Sequence, residues 1–298
     1  MLDVRRLRLL SELARRGTIA EVARVVGYTP SAISQSLTQL EHEVGVALLE
    51  RDGRRVRLTP AARGLVARAD RVLAELDAAE AELAAEQQAI RGEVVIGAFP
   101  SAAVELVVPA IVDLSRRHPD LACTVREHEP EDGVPLLRSG ELDLLVSESY
   151  DAVVPAPIGG LESHPLLTEP LLLVLPTEAP AREPVALETL SDAPWIAGVA
   201  GTQFDAVLEA VCRSAGFAPR IAHRADDASL LQALVGSGLG IALLPALACT
   251  DSEGVRFAEI EPPPPRRHVS ALVRRGAARR PALAATLDAL RGRAPDAG

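Results

Sequence analysis

The chain has 298 residues, a length that accommodates about two domains of ordinary size. Hydrophobic residues make up 48% and charged residues 24%, which excludes a chain that is disordered or low-complexity throughout. The formal net charge of -10 hides a gradient, because residues 1–60 hold 10 Arg against 7 acids, 61–90 hold 3 against 6, and 91–298 hold 18 against 28; a basic module joined to an acidic body leaves nucleic acid open as a partner of the basic end.

The opening stretch MLDVRRLRLLSELARR alternates Arg with Leu and shows no apolar signal core, so no secretory signal is expected. Even the most apolar run, PLLTEPLLLVLP (165–176), is broken by Glu169 and three prolines, so neither a transmembrane helix nor a membrane partner is expected. Cys123, Cys212 and Cys249 are odd in number and far apart, without CxxC or Cys/His ligand spacing. A reduced cytoplasm fits them, and no metal or cofactor is implied.

Along the chain, Val4, Leu7, Leu10, Leu13 and Ala14 recur at helical spacing up to Gly17. Thr18 with Glu21 is a capping box for a short second helix whose apolar face is Ile19, Val22, Ala23 and Val26. Thr29 is an N-cap with Pro30 at the first helical position, and Ile33, Leu37, Leu40 and Val44 form the buried stripe of a third helix. Its opposite face carries Ser31, Ser34, Gln35 and Thr38, beside Ala32. Short, uncharged, hydrogen-bonding side chains suit a helix lying deep in a DNA major groove. The bland alternative is a solvated polar face on a three-helix bundle. Next, RDGRRVRL (51–58) sets Arg51, Arg54, Arg55 and Arg57 around an Asp-Gly turn, a basic hairpin that can neutralise phosphates, or else a solvated charge run.

The stretch from Leu7 to Thr59 resembles the winged helix-turn-helix of the LysR-type transcriptional regulators. The resemblance is carried by Ala23, by the Ala32, Ser34 and Leu37 pattern, and by Leu40-Glu41, the Gly45 turn, Leu48-Leu49-Glu50-Arg51 and Leu58-Thr59. It implies DNA contact by Thr29, Pro30, Ser31, Ala32, Ser34, Gln35, Thr38, Arg51, Arg54 and Arg55, on double-stranded promoter or operator DNA. Many members carry Gln-Pro after the cap and Arg at the position of Gln35. Here Pro30-Ser31 and Gln35 stand instead, and Gln favours adenine where Arg favours guanine.

From Pro60 to Ile90 no internal Pro interrupts a segment rich in Ala, Glu, Leu and Arg, which predicts a long helix. Ala69, Leu76, Leu83 and Ile90 are spaced by seven, with Leu65, Val72, Ala79 and Glu86 as a second seam. Leu65, Ala69, Val72, Leu76 and Leu83 are the expected dimerisation residues; the alternative is a helix packed on its own body. Small and charged seam positions predict that further contacts elsewhere hold a homodimer or homotetramer.

Past Arg91-Gly92, short apolar strands alternate with helices, the pattern of an open, mainly parallel α/β sheet. Strands are predicted at 93–99, 121–127, 141–147, 171–176, 195–199, 220–223, 240–245 and 268–275, with helices at 102–117, 132–139, 202–215 and 227–237 and from Pro281. The expected domains are a winged helix-turn-helix (1–60), a linker helix (61–90) and a two-lobed domain (91–298), with lobe I at 91–161 and 268–298 and lobe II at 170–262. Two α/β lobes joined by two crossovers have the periplasmic-binding-protein architecture, which resembles the effector domain of the same regulators. That resemblance rests on Gly97 with Pro100-Ser101, on Leu142-Asp143-Leu144 before Ser147, and on GSGLGIALLP (236–245). It implies a small-molecule effector between the lobes, near Ser101, Ala102, Ser147, Glu148, Thr202 and Asp227, where helix N-termini favour polar or anionic groups. Ser101 and Thr202 are equally readable as N-caps alone, and Glu148 brings negative charge.

No GxSxG, HExxH or Walker A pattern occurs, and the six His stand apart. The expectation is therefore a cytoplasmic, sequence-specific regulator of LysR type, with RNA polymerase as a possible partner, and no catalytic residues. The rivals are a cytoplasmic small-molecule receptor that does not bind DNA, and an enzyme using the cleft.

Overall fold

The computed structural model describes residues 2–52, 55–85, 90–153, 159–179 and 183–293. By contact density the chain forms two compact units: Met1–Ser147 with Ile158–Pro165 and Ser270–Ala294, and Glu148–Pro157 with Leu166–Val269 and Pro295–Gly298.

Unit 1 opens with three helices whose ends the sequence dictates. Helix α1 (Val4–Arg16) starts where the Asp3 carboxylate accepts the Arg6 N–H at 3.1 Å and ends at Gly17, whose φ of 77° is the left-handed conformation glycine adopts without penalty. Helix α2 (Ile19–Val25) is capped by Thr18, and α3 (Pro30–Val44) by Thr29, whose hydroxyl accepts the Ala32 N–H at 3.2 Å with Pro30 just inside the helix. Leu10, Leu13, Val22, Ile33, Leu37 and Leu40 bury their side chains in one cluster. Strands β1 (Leu49–Asp52) and β2 (Arg55–Leu58) pair antiparallel, Leu49 opposite Leu58.

Thr59 then links hairpin to linker. Its hydroxyl donates to the Ala47 carbonyl at 2.9 Å and accepts the Ala62 N–H at 3.1 Å, which starts α4 (Pro60–Ala85). Leu65, Val66 and Ala69 pack into the cluster of the first three helices. The seven-residue repeat was expected to run through Ile90, but Ile90 lies outside the helix.

The α/β part of unit 1 has β3 (Gly92–Ala98) parallel to both β4 (Leu121–Glu127) and the start of β5 (Leu144–Tyr150), whose last three residues belong to unit 2. Between β3 and β4 run α5 (Pro100–Ala102), a π-helical turn (Ala103–Val107) and α6 (Val108–Arg117). Pro109 has no N–H to give to a regular helix, and the wider turn just before it absorbs the mismatch. Helix α7 (Pro130–Ser139) precedes β5. A Cβ on Gly97 would come within 2.6 Å of a Leu142 methyl, so the glycine lets strand and Leu142 pack directly.

Unit 2 holds most of β6 (Leu161–Pro176), then β7 (Pro194–Ala197), α8 (Gln203–Ser214), β8 (Arg220–Arg224), α9 (Ala228–Gly236), β9 (Ala242–Pro245), β10 (Val255–Ala258) and the start of β11 (Arg266–Arg274). Strand β6 pairs antiparallel with β9 and β10, and β7 lies parallel to β8. Trp195 is fully buried beside Leu171, Leu173, Val207 and Val211, with its indole N–H donating to the Leu190 carbonyl at 3.3 Å. It is a core anchor. The glycines of GSGLG serve packing: a Cβ on Gly236 would meet the Glu253 carbonyl at 2.6 Å, and one on Gly240 the Pro194 carbonyl at 2.8 Å. Helix α10 (Pro281–Arg291) returns to unit 1.

Candidate DNA and effector sites

The two faces of α3 are chemically opposite. Ile33, Leu37 and Leu40 are at most 1% exposed, while Ser31, Ser34, Gln35 and Thr38 are exposed and Ala32 is half-buried. Thr29 spends one acceptor on its cap and shares a hydrogen bond with the Ser31 hydroxyl at 3.0 Å. No Arg or Lys lies on this face, so its hydrogen-bonding groups are not tied up in ion pairs within the helix. The turn after α3 is set by Gly45 at φ 70° and by Glu41, whose carboxylate accepts the N–H groups of Leu48 and Leu49 at 2.8 and 2.9 Å. That contact aims β1 away from the helix and accounts for a Glu at this position. Arg51 and Arg55 stand on the two strands of the hairpin; their side chains and the whole of Arg54 lie outside the described residues. One residue escaped the sequence reading. Tyr28, just before the cap, is 62% exposed, and its signal was an aromatic in a turn with no apolar periodicity to absorb it.

Among the linker seam residues, Ala69 is buried and Leu65 half-buried in the first-three-helix cluster, whereas Val72 and Leu76 are 49% and 40% exposed. The Leu83 side chain lies outside the described residues. A second apolar stripe was not foreseen. Val104, Val108 and Val112 recur every four residues along the π turn and α6 and are all exposed, as is Val125 on β4.

The expected effector residues divide between the units. In unit 1, Ser101 is the second residue of α5 rather than its cap, which is Phe99; Ala102 and Ser147 are buried. In unit 2, Thr202 and Asp227 cap α8 and α9, accepting the N–H groups of Asp205 at 3.3 Å and Leu230 at 2.7 Å. Around them Asp226 accepts the Val199 N–H at 2.7 Å, and Asp205 accepts the Gly201 N–H at 3.2 Å and a guanidinium bond from Arg224 at 2.7 Å. The protein's own carboxylates thus occupy donors that an anion would need.

Glu148 belongs to a buried charge cluster of unit 2. Arg267, 3% exposed, donates to Glu148 at 2.9 Å and to Glu169 at 2.7 Å, while Glu148 also accepts from the Tyr150 hydroxyl at 2.9 Å and Glu169 from the Leu247 N–H at 2.6 Å. Burial works against the Arg267 charge, but Glu148, Tyr150 and Glu169 outweigh it and the guanidinium is held above its ordinary value. Burial, and then the Glu148 charge, raise the Tyr150 phenol well above its own. Sequence reasoning missed Arg267; its signal was an Arg on the inward phase of an alternating strand, RRHVSALVR.

The thiols are not activated. Burial pushes Cys212 up to about 12; burial and the Glu169 charge do the same to Cys249, and burial raises Cys123. Among the described residues no cluster of His, Cys, Asp and Glu could hold a metal, and no helix is long and apolar enough to cross a membrane.

A winged helix-turn-helix with an exposed, uncharged face on its third helix, joined by a long helix to α/β units, defines a ligand-responsive DNA-binding protein. Residues 4–63 match the bacterial regulatory helix-turn-helix protein family, lysR type, and residues 87–295 match the LysR substrate binding domain. The chain belongs to the LysR family of transcriptional regulators, with a helix-turn-helix DNA-binding domain and an effector-binding domain. A probable hydrogen peroxide-inducible genes activator of Streptomyces viridosporus is 33% identical over 92% of this chain and 88% of its own length. The transcriptional dual regulator GltC of Bacillus subtilis is 26% identical over 82% of this chain and 81% of its own. In fold, the chain is similar to a full-length OxyR variant from Pseudomonas aeruginosa, with a TM-score of 0.65 at 24% identity over 98% of this chain and 95% of that one. CbnR complexed with its target DNA gives 0.57 at 22% identity, over 99% and 100%.

Proposed function

We propose that this regulator is a cytoplasmic homo-oligomer without catalytic activity that reads operator DNA through Ser34 and Gln35. The observation that carries the reading is the division of α3 into a fully buried stripe and an exposed, uncharged, hydrogen-bonding face. Ser31, Ser34, Gln35 and Thr38 face the major groove with Ala32 giving apolar contact, Thr29 and Pro30 approach the backbone at the helix N-terminus, and Gln35 favours an adenine. Tyr28 flanks this face, and Arg51, Arg54 and Arg55 of the hairpin hold phosphates. Two copies pair through Val72 and Leu76 of α4, extended by Leu65, Ala69 and Leu83, and through the valine stripe of α6, so that two α3 helices meet a pseudo-palindromic site. RNA polymerase is the further partner once the oligomer sits on a promoter.

The effector binds the C-terminal α/β domain near Ser101, Ala102, Ser147, Thr202 and Asp227, with Glu148 acting through its pair with Arg267. Because acidic side chains already take the donors around α8 and α9, the effector is one that offers hydrogen-bond donors there. The Streptomyces viridosporus relative raises peroxide as a signal, and the raised thiols of Cys212 and Cys249 argue against it here.

Gel retardation tests the DNA reading. Replacing Ser34 and Gln35 by Ala should weaken binding to DNA upstream of the gene and its neighbours by roughly 5- to 150-fold while leaving binding to random DNA unchanged, the range of one lost base contact. Equal loss on both DNAs would remove these residues as base readers, and no retardation by the wild type on any neighbouring region would favour a receptor that does not bind DNA.

A further inference from the structure

Unit 1 holds a second polar site that none of the expected residues describes. A small recess of about 40 Å³, open to solvent, lies among α1, α4, the end of α7, the turn at Gly160 and the end of β11. Five arginines line it, namely Arg8, Arg15, Arg138, Arg274 and Arg275, against one acid, Asp70. Arg15 is shared between Asp70 at 2.9 Å and Glu12 at 3.1 Å, and Arg274 donates to the Leu137 and Leu142 carbonyls at 2.8 and 2.7 Å, so these guanidinium groups are held in place.

Two polar atoms here have no partner among the described residues. One is the hydroxyl of Ser11, which is 1% exposed; the other is the Nε of Arg138, whose Nη2 donates to the Gly159 carbonyl at 3.1 Å. Leaving such groups unmatched in a buried setting is costly, and native proteins do so chiefly where a ligand, ion or water completes them. Gly160 forms the turn at the mouth with φ 83°, the left-handed conformation glycine adopts without penalty.

We propose that this recess binds a phosphate group, and that the ligand clamps α1 and α4 onto α7 and β11. Donors converge from several elements in three dimensions, which suits a tetrahedral oxyanion better than a planar carboxylate met by a single guanidinium fork. The electrostatics agree. Burial, and then the charge of Arg15, hold the Arg138 guanidinium below its ordinary value, so a neighbouring anion would favour its charged form. This inference stands on unit 1 alone and holds whether or not α3 reads bases.

The test is calorimetric titration of the full-length chain with inorganic phosphate in chloride buffer of matched ionic strength, with glycerol 3-phosphate as a second probe. Arg138→Gln should weaken phosphate about tenfold or more, and Ser11→Ala, which removes one hydroxyl and keeps the fold, about fivefold. The control Arg213→Gln, on the exposed side of α8, should keep the wild-type phosphate affinity. Amide exchange should slow in α1 and α7 on binding. Tighter binding of glycerol 3-phosphate identifies a phosphorylated metabolite as the ligand, and equal or weaker binding identifies the free ion. The proposal is overturned if phosphate gives no heat beyond the chloride control, if both recess variants bind as the wild type does, or if Arg213→Gln loses as much binding as they do.

Discussion

Arg267→Met tests whether the buried charge cluster holds unit 2 together. The side chain is 3% exposed and faces two carboxylates that are themselves 9% and 7% exposed, Glu148 at 2.9 Å and Glu169 at 2.6 Å. Methionine fills much of the same volume but leaves two carboxylates buried near one another with no cation. Breaking a buried pair in this way costs ~3–5 kcal/mol, because the stranded charge keeps its desolvation penalty and loses its compensation. In a chain of this size that corresponds to a fall in Tm of roughly 6 to 20 °C at neutral pH. The sign of the pH dependence follows from the same argument. Stranded carboxylates favour their protonated forms, so the variant's loss relative to wild type should shrink as pH falls toward 5, while neutral Gln at both Glu148 and Glu169 should recover part of it at pH 7. Differential scanning calorimetry of the three proteins at pH 5 and 7 reads both effects. A loss below about 2 °C that does not change with pH would mean that water reaches the cluster, and the reasoning from buried charge would fail.

Two further outcomes are expected. Leu76→Asp with Val72→Asp places charge on the exposed stretch of α4 and should shift the chain toward monomer in analytical ultracentrifugation without lowering the Tm by more than about 1 °C, since exposed substitutions cost little within one chain; an unchanged sedimentation coefficient would remove this helix face from the interface. Peroxide should leave DNA retardation unchanged, because Cys212 and Cys249 are pushed up to about 12 and Cys123 is raised, which keeps these thiols protonated near neutral pH; a peroxide response that Cys212→Ser abolishes would refute that.

The N-terminal module was legible because its signals are local. Caps at Thr18 and Thr29, the stops at Gly17 and Gly45, and the apolar stripe of α3 are each fixed within one or two turns, and the polar face follows from the stripe. The α/β body was legible where strands are continuously apolar, as at β3 and β9, and less so elsewhere. Strand β6 begins at Leu161, ten residues before the run LLLVLP, because LESHPLLTEP contains two prolines and alternates charge with Leu in the manner of a loop. Strand β10, VRFA, is too short to show a period.

The side chains that escaped the reading share one property: their partners are distant in sequence. Arg267 lies 119 residues from Glu148 and 98 from Glu169, so neither charge could be recognised as buried until the strands were placed. Glu148, which looked like free negative charge for an effector, is instead matched within its own unit. The same holds for the arginines of the recess, where Arg15 and Arg138 are unremarkable as helix-surface residues and become a site only when α1 and α7 come together. Local propensity places helices and turns, while tertiary packing decides which charges are solvated, which are neutralised, and which are left facing an open space that an anion would fill.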